Sequence, residues 1–273
     1  VFALLLGLAL SRAGEAGDRI AEFFADLNQV MMKLITMVIQ LTPYGVFCLM
    51  VKLGASVGWV EIAKVLAYFM TVASALVLHG LVVYPTLLKT LTGLNPLMFL
   101  RKMREPMLVA FSTSSSGATL PVTLRTVEHR IGVNNNVAAF AVPLGATINM
   151  DGTAIMQGVA TVFIAQFFGY QLGIDAYLMV ILTATLASIG TAAVPGVGLI
   201  TLTLVLDQVG LPVEGIGLII GVDRLLDMLR TVVNVTGDGT VATIVAKSEG
   251  QLNVDILQDP AAGAVFEDQS AAV

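Results

Sequence analysis

Long apolar stretches constrain this sequence more than any other feature. They fall at about 1–11, 29–51, 62–88, 134–172 and 213–246. Only 12% of the 273 residues are charged, whereas a soluble domain usually has about 25%. Crossing the ~30 Å hydrocarbon core takes about 20 helical residues, and most of these stretches are that long. We therefore predict an all-α, multi-pass protein of the cell membrane.

Two segments between these stretches do not fit a simple spanning helix. Residues 94–130 contain the hydroxyl-rich run FSTSSSGATLP and carry basic residues at both ends. Because basic residues mark the cytoplasmic side, such a segment enters and leaves on one face. Residues 174–211 contain SIGTAAVPGVG, and there is no Lys or Arg from 131 to 222. The pattern predicts two re-entrant helical hairpins that enter from opposite faces.

Each predicted hairpin is followed by a long apolar helix with a polar interruption. The interruptions are NMDGT at 149–153 and NVTGD at 234–238. Inverted repeats and broken helices are typical of secondary transporters. Because non-helical backbone at membrane depth needs protein or water around it, two hairpin tips and two breaks predict one shared polar cavity.

A stripe of polar residues on the last predicted helix marks a candidate binding site. Asp223, Asp227, Arg230, Asn234 and Asp238 are spaced four, three, four and four residues apart, so they share one helical face. The Arg230 guanidinium suits a carboxylate, and Asp227 suits an ammonium group, which together fit a zwitterionic amino acid. The alternative is that Asp227 and Arg230 only neutralise each other inside a helix bundle.

The two polar interruptions supply oxygen ligands for a hard cation. Their side chains are Asn149, Asp151, Asn234 and Asp238, and unwound backbone carbonyls add further oxygens suited to Na+. The alternative for either motif alone is a kink capped by local hydrogen bonds. The sequence offers no basic patch for nucleic acid and no supported nucleophile or metal set, so we predict neither nucleic-acid binding nor enzymatic activity and expect no cofactor beyond sodium ions.

Four motifs in order make the sequence resemble the dicarboxylate/amino acid:cation symporter family. They are TSSSGATLPVT, PLGATINMDGTA, ASIGTAAVPGVG and DRLLDMLRTVVNVTGD, and the similarity runs through about residues 1–249. The family has eight transmembrane helices and two re-entrant hairpins, assembles as a homotrimer, and moves a transport domain like an elevator against a scaffold. By resemblance this chain corresponds to the last five helices with both hairpins, the C-terminal part of a longer protein.

The resemblance implies a division of the chain into domains. Residues 1–57 would belong to the scaffold that holds the trimer, and 248–273 would form a disordered cytoplasmic tail. Residues 58–247 would form the transport domain, comprising helix 58–90, hairpin one at 94–130, a broken helix at 134–172, hairpin two at 174–211 and a broken helix at 213–247.

The resemblance also implies a role for individual positions. Arg230 would bind the side-chain carboxylate of the substrate and Asp227 its amino group, with the pocket completed by Ser114, Ser116, Thr153, Val194, Gly198, Thr231 and Asn234. One sodium ion would bind Gly145, Asn149, Asn234 and Asp238; a second would bind Thr147, Ser188, Ile189 and Thr191; a third would bind Asn149 and Asp151 with ligands from a helix absent here.

These expectations lead to one main hypothesis and two alternatives. The main hypothesis is sodium-coupled uptake of glutamate or aspartate, since Asp227 fits an amino acid and Arg230 an acidic one. The nearer alternative is a proton-coupled glutamate or C4-dicarboxylate symporter of the same fold, although Gln157 stands where vertebrate glutamate carriers have a Glu proposed to carry a proton. An anion-conducting channel is the alternative from another class, because two re-entrant hairpins resemble pore loops.

Overall fold

The computed structural model describes residues 2–40, 44, 47–48, 51, 59–259 and 262. Within these residues the regular structure is helical, apart from one isolated bridge between Val133 and Leu252. The prediction of an all-α chain is therefore confirmed. The chain divides into two compact units, Val1–Lys52 and Leu53–Val273.

Two helices are described in the first unit between residues 2 and 39. Helix α1 spans Phe2–Arg12 and α2 spans Glu15–Ile39, and Gly14, with a φ of +57°, allows the turn between them. The predicted stretch 29–51 begins inside α2, but most of its second half lies outside the described residues, as does the predicted domain boundary at 57.

The second unit begins with one long helical element where the sequence predicts a helix at 58–90. Helix α3 spans Trp59–Leu78, a π-helical turn spans His79–Val83, and α4 spans Tyr84–Thr92. Residues Ile62–Thr92 form the one described helix that is long and apolar enough to cross a membrane. A short helix α5, Pro96–Lys102, is capped by Asn95, whose side chain accepts from the amides of Leu97 and Met98.

At each of the two positions where a hairpin is predicted, the structure has a pair of helices. In the first pair, α6 spans Arg104–Thr113 and α7 spans Ser116–Thr126, followed by a π-helical turn at Val127–Ile131. In the second pair, α10 spans Ile174–Ile189 and α11 spans Val197–Gln208. We keep the names hairpin one for residues 104–126 and hairpin two for residues 174–208.

One of the two predicted helix breaks is present and the other is wrong. Helix α8, Asn135–Ile148, ends two residues before α9, Asp151–Phe167, so the chain is broken at 149–150 as predicted. The last long helix, α12, runs unbroken from Ile216 to Ser248 and includes 234–238. Its polar side chains find partners at the break between α8 and α9 and in the first turn of α9, so their burial does not require the backbone to unwind.

The tail also differs from its prediction. Residues 248–273 were expected to be disordered, but α12 is followed by a short helix, α13, at Val254–Gln258. Leu257 is only 2% exposed and packs in a core cluster with Phe99 and Ile131. The predicted disorder is therefore wrong for residues 251–259, because one buried leucine and a capped helical turn fix this segment. Residues 260–273, apart from 262, lie outside the described part of the chain.

Two hydrophobic clusters form the core of the second unit, and α12 belongs to both. One cluster gathers residues of α3, α9, hairpin two and the first half of α12, including Leu226 and Val233. The other gathers residues of α5, hairpin one, α8 and the second half of α12, including Val235 and Ala242. The polar stripe of α12 is thus carried by the helix that links the two clusters.

Candidate functional site

The polar face of α12 is buried along its whole length. Asp223, Asp227, Arg230, Asn234 and Asp238 are 4%, 8%, 1%, 3% and 2% exposed. Charged residues are almost never fully buried without partners. The predicted stripe is therefore a buried polar face, and each member must be stabilised by neighbouring groups.

Arg230 is held between two carboxylates of its own helix. Its guanidinium NH1 and NH2 groups donate to the two oxygens of Asp223 over 3.0 and 3.4 Å, and NH2 also donates to Asp227 Oδ1 over 2.7 Å. The pairing of Asp227 with Arg230, proposed as an alternative, is thus present. Sequence reasoning gave Asp223 no role, although its position seven residues before Arg230 places it on the same helical face.

The Nε–H group of Arg230 is buried and has no acceptor among the described residues. A buried unsatisfied donor is costly, so such a group points to a missing partner. The arrangement therefore retains hydrogen-bonding capacity for an additional acceptor beside the guanidinium.

Most of the predicted substrate-binding residues line one small cavity. A cavity of about 20 Å³ is lined by eight of the nine: Ser114, Ser116, Thr153, Val194, Gly198, Asp227, Thr231 and Asn234. The ninth, Arg230, lies beside it, since a Cβ placed on Gly198 would stand 3.3 Å from Arg230 NH1. This volume holds about one water molecule, so the site is closed around a space smaller than an amino acid.

The tips of the two hairpins close this cavity by touching each other. The Ser115 hydroxyl donates to the carbonyl of Ala193 over 2.7 Å, and the Gly117 amide donates to the same carbonyl over 3.1 Å. The tip of hairpin two also reaches α12, because the Gly196 amide donates to Asp227 Oδ2 over 2.9 Å. Asp227 is thus shared between Arg230 and the tip of hairpin two.

The turn of hairpin one depends on an unusual serine conformation. Ser114 has a φ of +53°, the left-handed region that non-glycine residues rarely occupy. Its hydroxyl is buried without a hydrogen-bond partner in the described part of the chain, while the next residue, Ser115, caps α7 by accepting from the Ala118 amide over 3.1 Å. Backbone outliers of this kind concentrate at functional sites.

The break at 149–150 joins α12 through amide and carboxylate groups. Asn149 Nδ2 donates to the Asn234 carbonyl over 3.3 Å and to Asp238 Oδ1 over 3.2 Å. The Asn234 side-chain oxygen accepts from the Gly152 amide over 2.8 Å. A Cβ on Gly145 would stand only 2.7 Å from Asp238 Oδ1. The four residues expected to bind the first sodium ion therefore lie together.

Asp151 has partners that sequence reasoning missed. Its Oδ2 atom lies 3.1 Å from His79 Nε2 and accepts from the Tyr84 hydroxyl over 2.9 Å. These residues begin and follow the π-helical turn between α3 and α4, and such turns often occur at functional sites. The sequence feature that could have indicated this contact is His79, a single histidine within the apolar stretch 62–88.

The residues expected to bind a second sodium ion are less well gathered. Ser188 and Ile189 line one cavity of about 630 Å³ together with Gly145, Asn149 and Asp151, whereas Thr191 lines the small closed cavity. Thr147 is exposed, and its hydroxyl donates to the Leu144 carbonyl over 3.0 Å. This conformation therefore divides the predicted set among three places.

Two cavities larger than the closed site are grooves outside it. The groove that includes Asn149 and Asp151 has largely apolar walls. A second groove of about 630 Å³ runs between α3, α9 and α10 and includes Lys64, Tyr68 and Phe163. Among the described residues, no three His, Cys, Asp or Glu side chains cluster as a metal site, so a cation here would depend on amide and carbonyl oxygens.

Gln157 connects α9 to hairpin two. It is fully buried, and its Nε2 group donates to the Gly198 carbonyl over 3.3 Å and to the Thr201 hydroxyl over 2.7 Å. Its side-chain oxygen has no described partner. The amide therefore supports the arm of hairpin two that covers Arg230.

Comparison with known proteins assigns the chain to a class of transporters. A family profile of the Sodium:dicarboxylate symporter family matches residues 1–248. The chain belongs to this family, and the resemblance stated from its four motifs is confirmed.

Particular relatives narrow the assignment. The chain is 44% identical to an excitatory amino acid transporter of Caenorhabditis elegans, with 90% of the chain and 49% of that protein covered. It is 43% identical to mouse excitatory amino acid transporters 2 and 3, with 91% and 90% of the chain covered and 44% and 47% of those proteins. The chain thus spans about half the length of the curated relatives it matches.

Proposed function

We propose that this chain is the substrate-binding part of a sodium-coupled symporter for acidic amino acids. The single observation that carries the proposal is Arg230, buried beside a closed cavity with two carboxylate partners and one unsatisfied donor. A guanidinium recognises a carboxylate through parallel hydrogen bonds, and Asp227, at the same cavity, suits an ammonium group. The names of the relatives support an amino acid as the substrate.

The sodium assignment is supported by the polar cluster where α8 and α9 separate. Gly145, Asn149, Asn234 and Asp238 bring carbonyl, amide and carboxylate oxygens into one place. A buried carboxylate such as Asp238 is expensive to maintain without a positive partner, and unwound carbonyls beside it suit Na+. The family description also names sodium.

The closed cavity supports movement of hairpin two during substrate entry. A space of about 20 Å³ must enlarge to admit an amino acid. The tip of hairpin two is held by a few hydrogen bonds, from Ser115, Gly117 and Gly196, that can be broken without disturbing a hydrophobic core. We assign residues 58–247 to a membrane-embedded transport domain that moves as an elevator, with both hairpins re-entrant, and residues 1–57 to a scaffold that forms a homotrimer.

The proposal is tested by uptake of labelled L-aspartate into proteoliposomes that contain the full-length protein. We expect uptake under an inward Na+ gradient and none under matched K+ or choline gradients. Removing one partner of a buried charge pair costs about 3–5 kcal/mol, which corresponds to roughly 150- to 5,000-fold in affinity. Arg230→Ala and Asp227→Ala should therefore abolish measurable uptake at micromolar aspartate.

The alternatives give different results in the same assay. Uptake that follows a proton gradient without Na+ would contradict the sodium assignment, and competition by succinate at the potency of aspartate would indicate a dicarboxylate carrier. Conductance without saturable uptake would indicate a channel. Arg224→Ala is the matched control, because this neighbouring arginine is only partly buried and its loss should leave uptake unchanged.

A further inference from the structure

The segment that follows α12 is attached to the base of hairpin one. Helix α12 ends where Gly250 adopts a φ of +67°, and the chain then turns back. The Asn134 amide donates to the Gln251 carbonyl over 3.0 Å, and the Asn253 amide donates to the Gly132 carbonyl over 2.8 Å. These two hydrogen bonds flank the antiparallel bridge between Val133 and Leu252. We call residues 251–259 the C-terminal strap.

Close approach of the two backbones requires glycine at position 132. Gly132 has a φ of +89°, and a Cβ at this position would stand 2.4 Å from the Asn253 carbonyl oxygen. Any other residue would push the strap away from the chain that leaves hairpin one. The strap itself is shaped by Asn253, whose side chain accepts from the amides of Asp255 and Ile256 and so begins α13.

A buried lysine holds the strap at its other end. Lys102 is 2% exposed, and its ammonium group donates to the carbonyls of Arg130, Ile256 and Asp259 over 2.7, 2.6 and 2.8 Å. An ammonium group has three N–H donors, so all three are satisfied. Burial and the nearby charge of Arg130 lower the pKa of Lys102 from its ordinary value, and the three carbonyl dipoles oppose loss of its proton.

The carbonyls bound by Lys102 come from two different elements. The Arg130 carbonyl belongs to the π-helical turn below hairpin one, and the other two belong to the C-terminal end of α13. Carbonyls at helix C-termini are unsatisfied within the helix and favour a positive charge. Lys102 therefore acts as an internal cation that joins the strap, hairpin one and α5.

The two hairpins differ in how their bases are held. The arms of hairpin one are also joined by an ion pair between Glu105 and Arg125. Among residues 59–259, no ion pair or hydrogen bond joins the charged residues at the base of hairpin two, Asp175 and Asp207, to another element through their side chains.

We propose that the C-terminal strap, anchored by Lys102, fixes the base of hairpin one to the end of α12 and so restrains the opening of that base. The strap goes beyond the proposed function, since it concerns the mechanics of the fold whichever substrate is carried.

Hydrogen exchange of the full-length protein in nanodiscs tests this inference. The variants are Lys102→Met, which leaves three carbonyls without a donor, and a chain ending at Gly250, which removes the strap. Lys89→Met is the matched control, because the hydrogen bond that Lys89 makes among the described residues goes to the exposed Gly93 carbonyl. We expect amides of residues 127–134 to exchange at least tenfold faster in both variants, with residues 190–198 unchanged.

Two results would overturn the inference. Unchanged protection of residues 127–134 in the chain ending at Gly250 would mean that the strap does not hold hairpin one. Equal loss of protection in both hairpins would mean that the strap stabilises the whole fold instead. If Lys102→Met does not fold, the shortened chain and the control decide the question. Because exchange is measured without substrate, failure of the transport proposal would not affect this result.

Discussion

Replacing Arg230 by methionine would leave two aspartates facing a position from which the positive charge has gone. The carboxylates of Asp223 and Asp227 both accept hydrogen bonds from the Arg230 guanidinium. All three residues are at most 8% exposed. Methionine keeps the apolar length of the side chain and removes the guanidinium. We expect a loss of stability that a second substitution, Asp223→Asn, partly reverses.

The magnitudes follow from the contacts. Removing one partner of a buried pair costs about 3–5 kcal/mol. Asp223→Asn alone removes the charge from contacts of 3.0 and 3.4 Å to Arg230, which costs about 1.5–3 kcal/mol for a charge-assisted bond. Independent effects would sum to about 4.5–8 kcal/mol. The double variant should instead lose less than the roughly 3–5 kcal/mol expected for Arg230→Met alone, because the amide no longer needs a cation.

Unfolding of the full-length protein in detergent, by denaturant or heat, measures these differences. Arg224→Met provides the control, since this arginine is only partly buried and should cost less than about 0.5 kcal/mol. A double variant whose loss equals the sum of the single losses would refute the reasoning, because it would mean that Asp223 and Arg230 do not interact energetically.

Two further substitutions test the surroundings of the site. Gly145→Ala would place a methyl group 2.7 Å from Asp238 Oδ1, so we expect at least a tenfold higher sodium concentration for half-maximal uptake. Gly217→Ala is the control, because a Cβ there meets nothing within 4 Å and should leave this concentration unchanged. An equal effect of the two substitutions would contradict the sodium assignment. Gln157→Leu would remove the donor to Gly198, so amides of residues 197–201 should exchange roughly five- to tenfold faster, each lost bond costing about 1 kcal/mol; unchanged exchange would show that Gln157 does not support hairpin two.

The sequence predicted the helical pairs because their signals are local. Ser114 to Ser116 and Pro195 with Gly196 interrupt apolar runs, and the structure turns at both places. The second helix break was wrongly predicted from NVTGD, since Asn234 and Asp238 satisfy their polar groups through Asn149 and Gly152 across the helix packing. Whether a polar motif breaks a helix depends on partners that lie far away in the sequence.

The roles of Asp223, His79 and Tyr84 also depend on the tertiary structure. Their types and positions are visible in the sequence, but their contacts with Arg230 and Asp151 depend on side-chain direction and on the packing of α3 and α4 against α9. The strap is a further case, because residues 251–259 are polar overall and are held by Leu257, by Lys102 and by backbone hydrogen bonds to residues 132–134. Composition alone therefore predicted disorder for a folded segment.

By itself, the sequence determined that this chain is helical, where its hairpins turn and which face of its last helix is polar. These properties follow from hydropathy, helical periodicity and turn-forming residues, all of which act over a few residues. Only the tertiary structure decided which polar groups meet, that Arg230 lies between two carboxylates, and that Lys102 binds the C-terminal strap. Those contacts join positions up to 157 residues apart, and only packing of the whole second unit brings such distant positions within hydrogen-bonding distance.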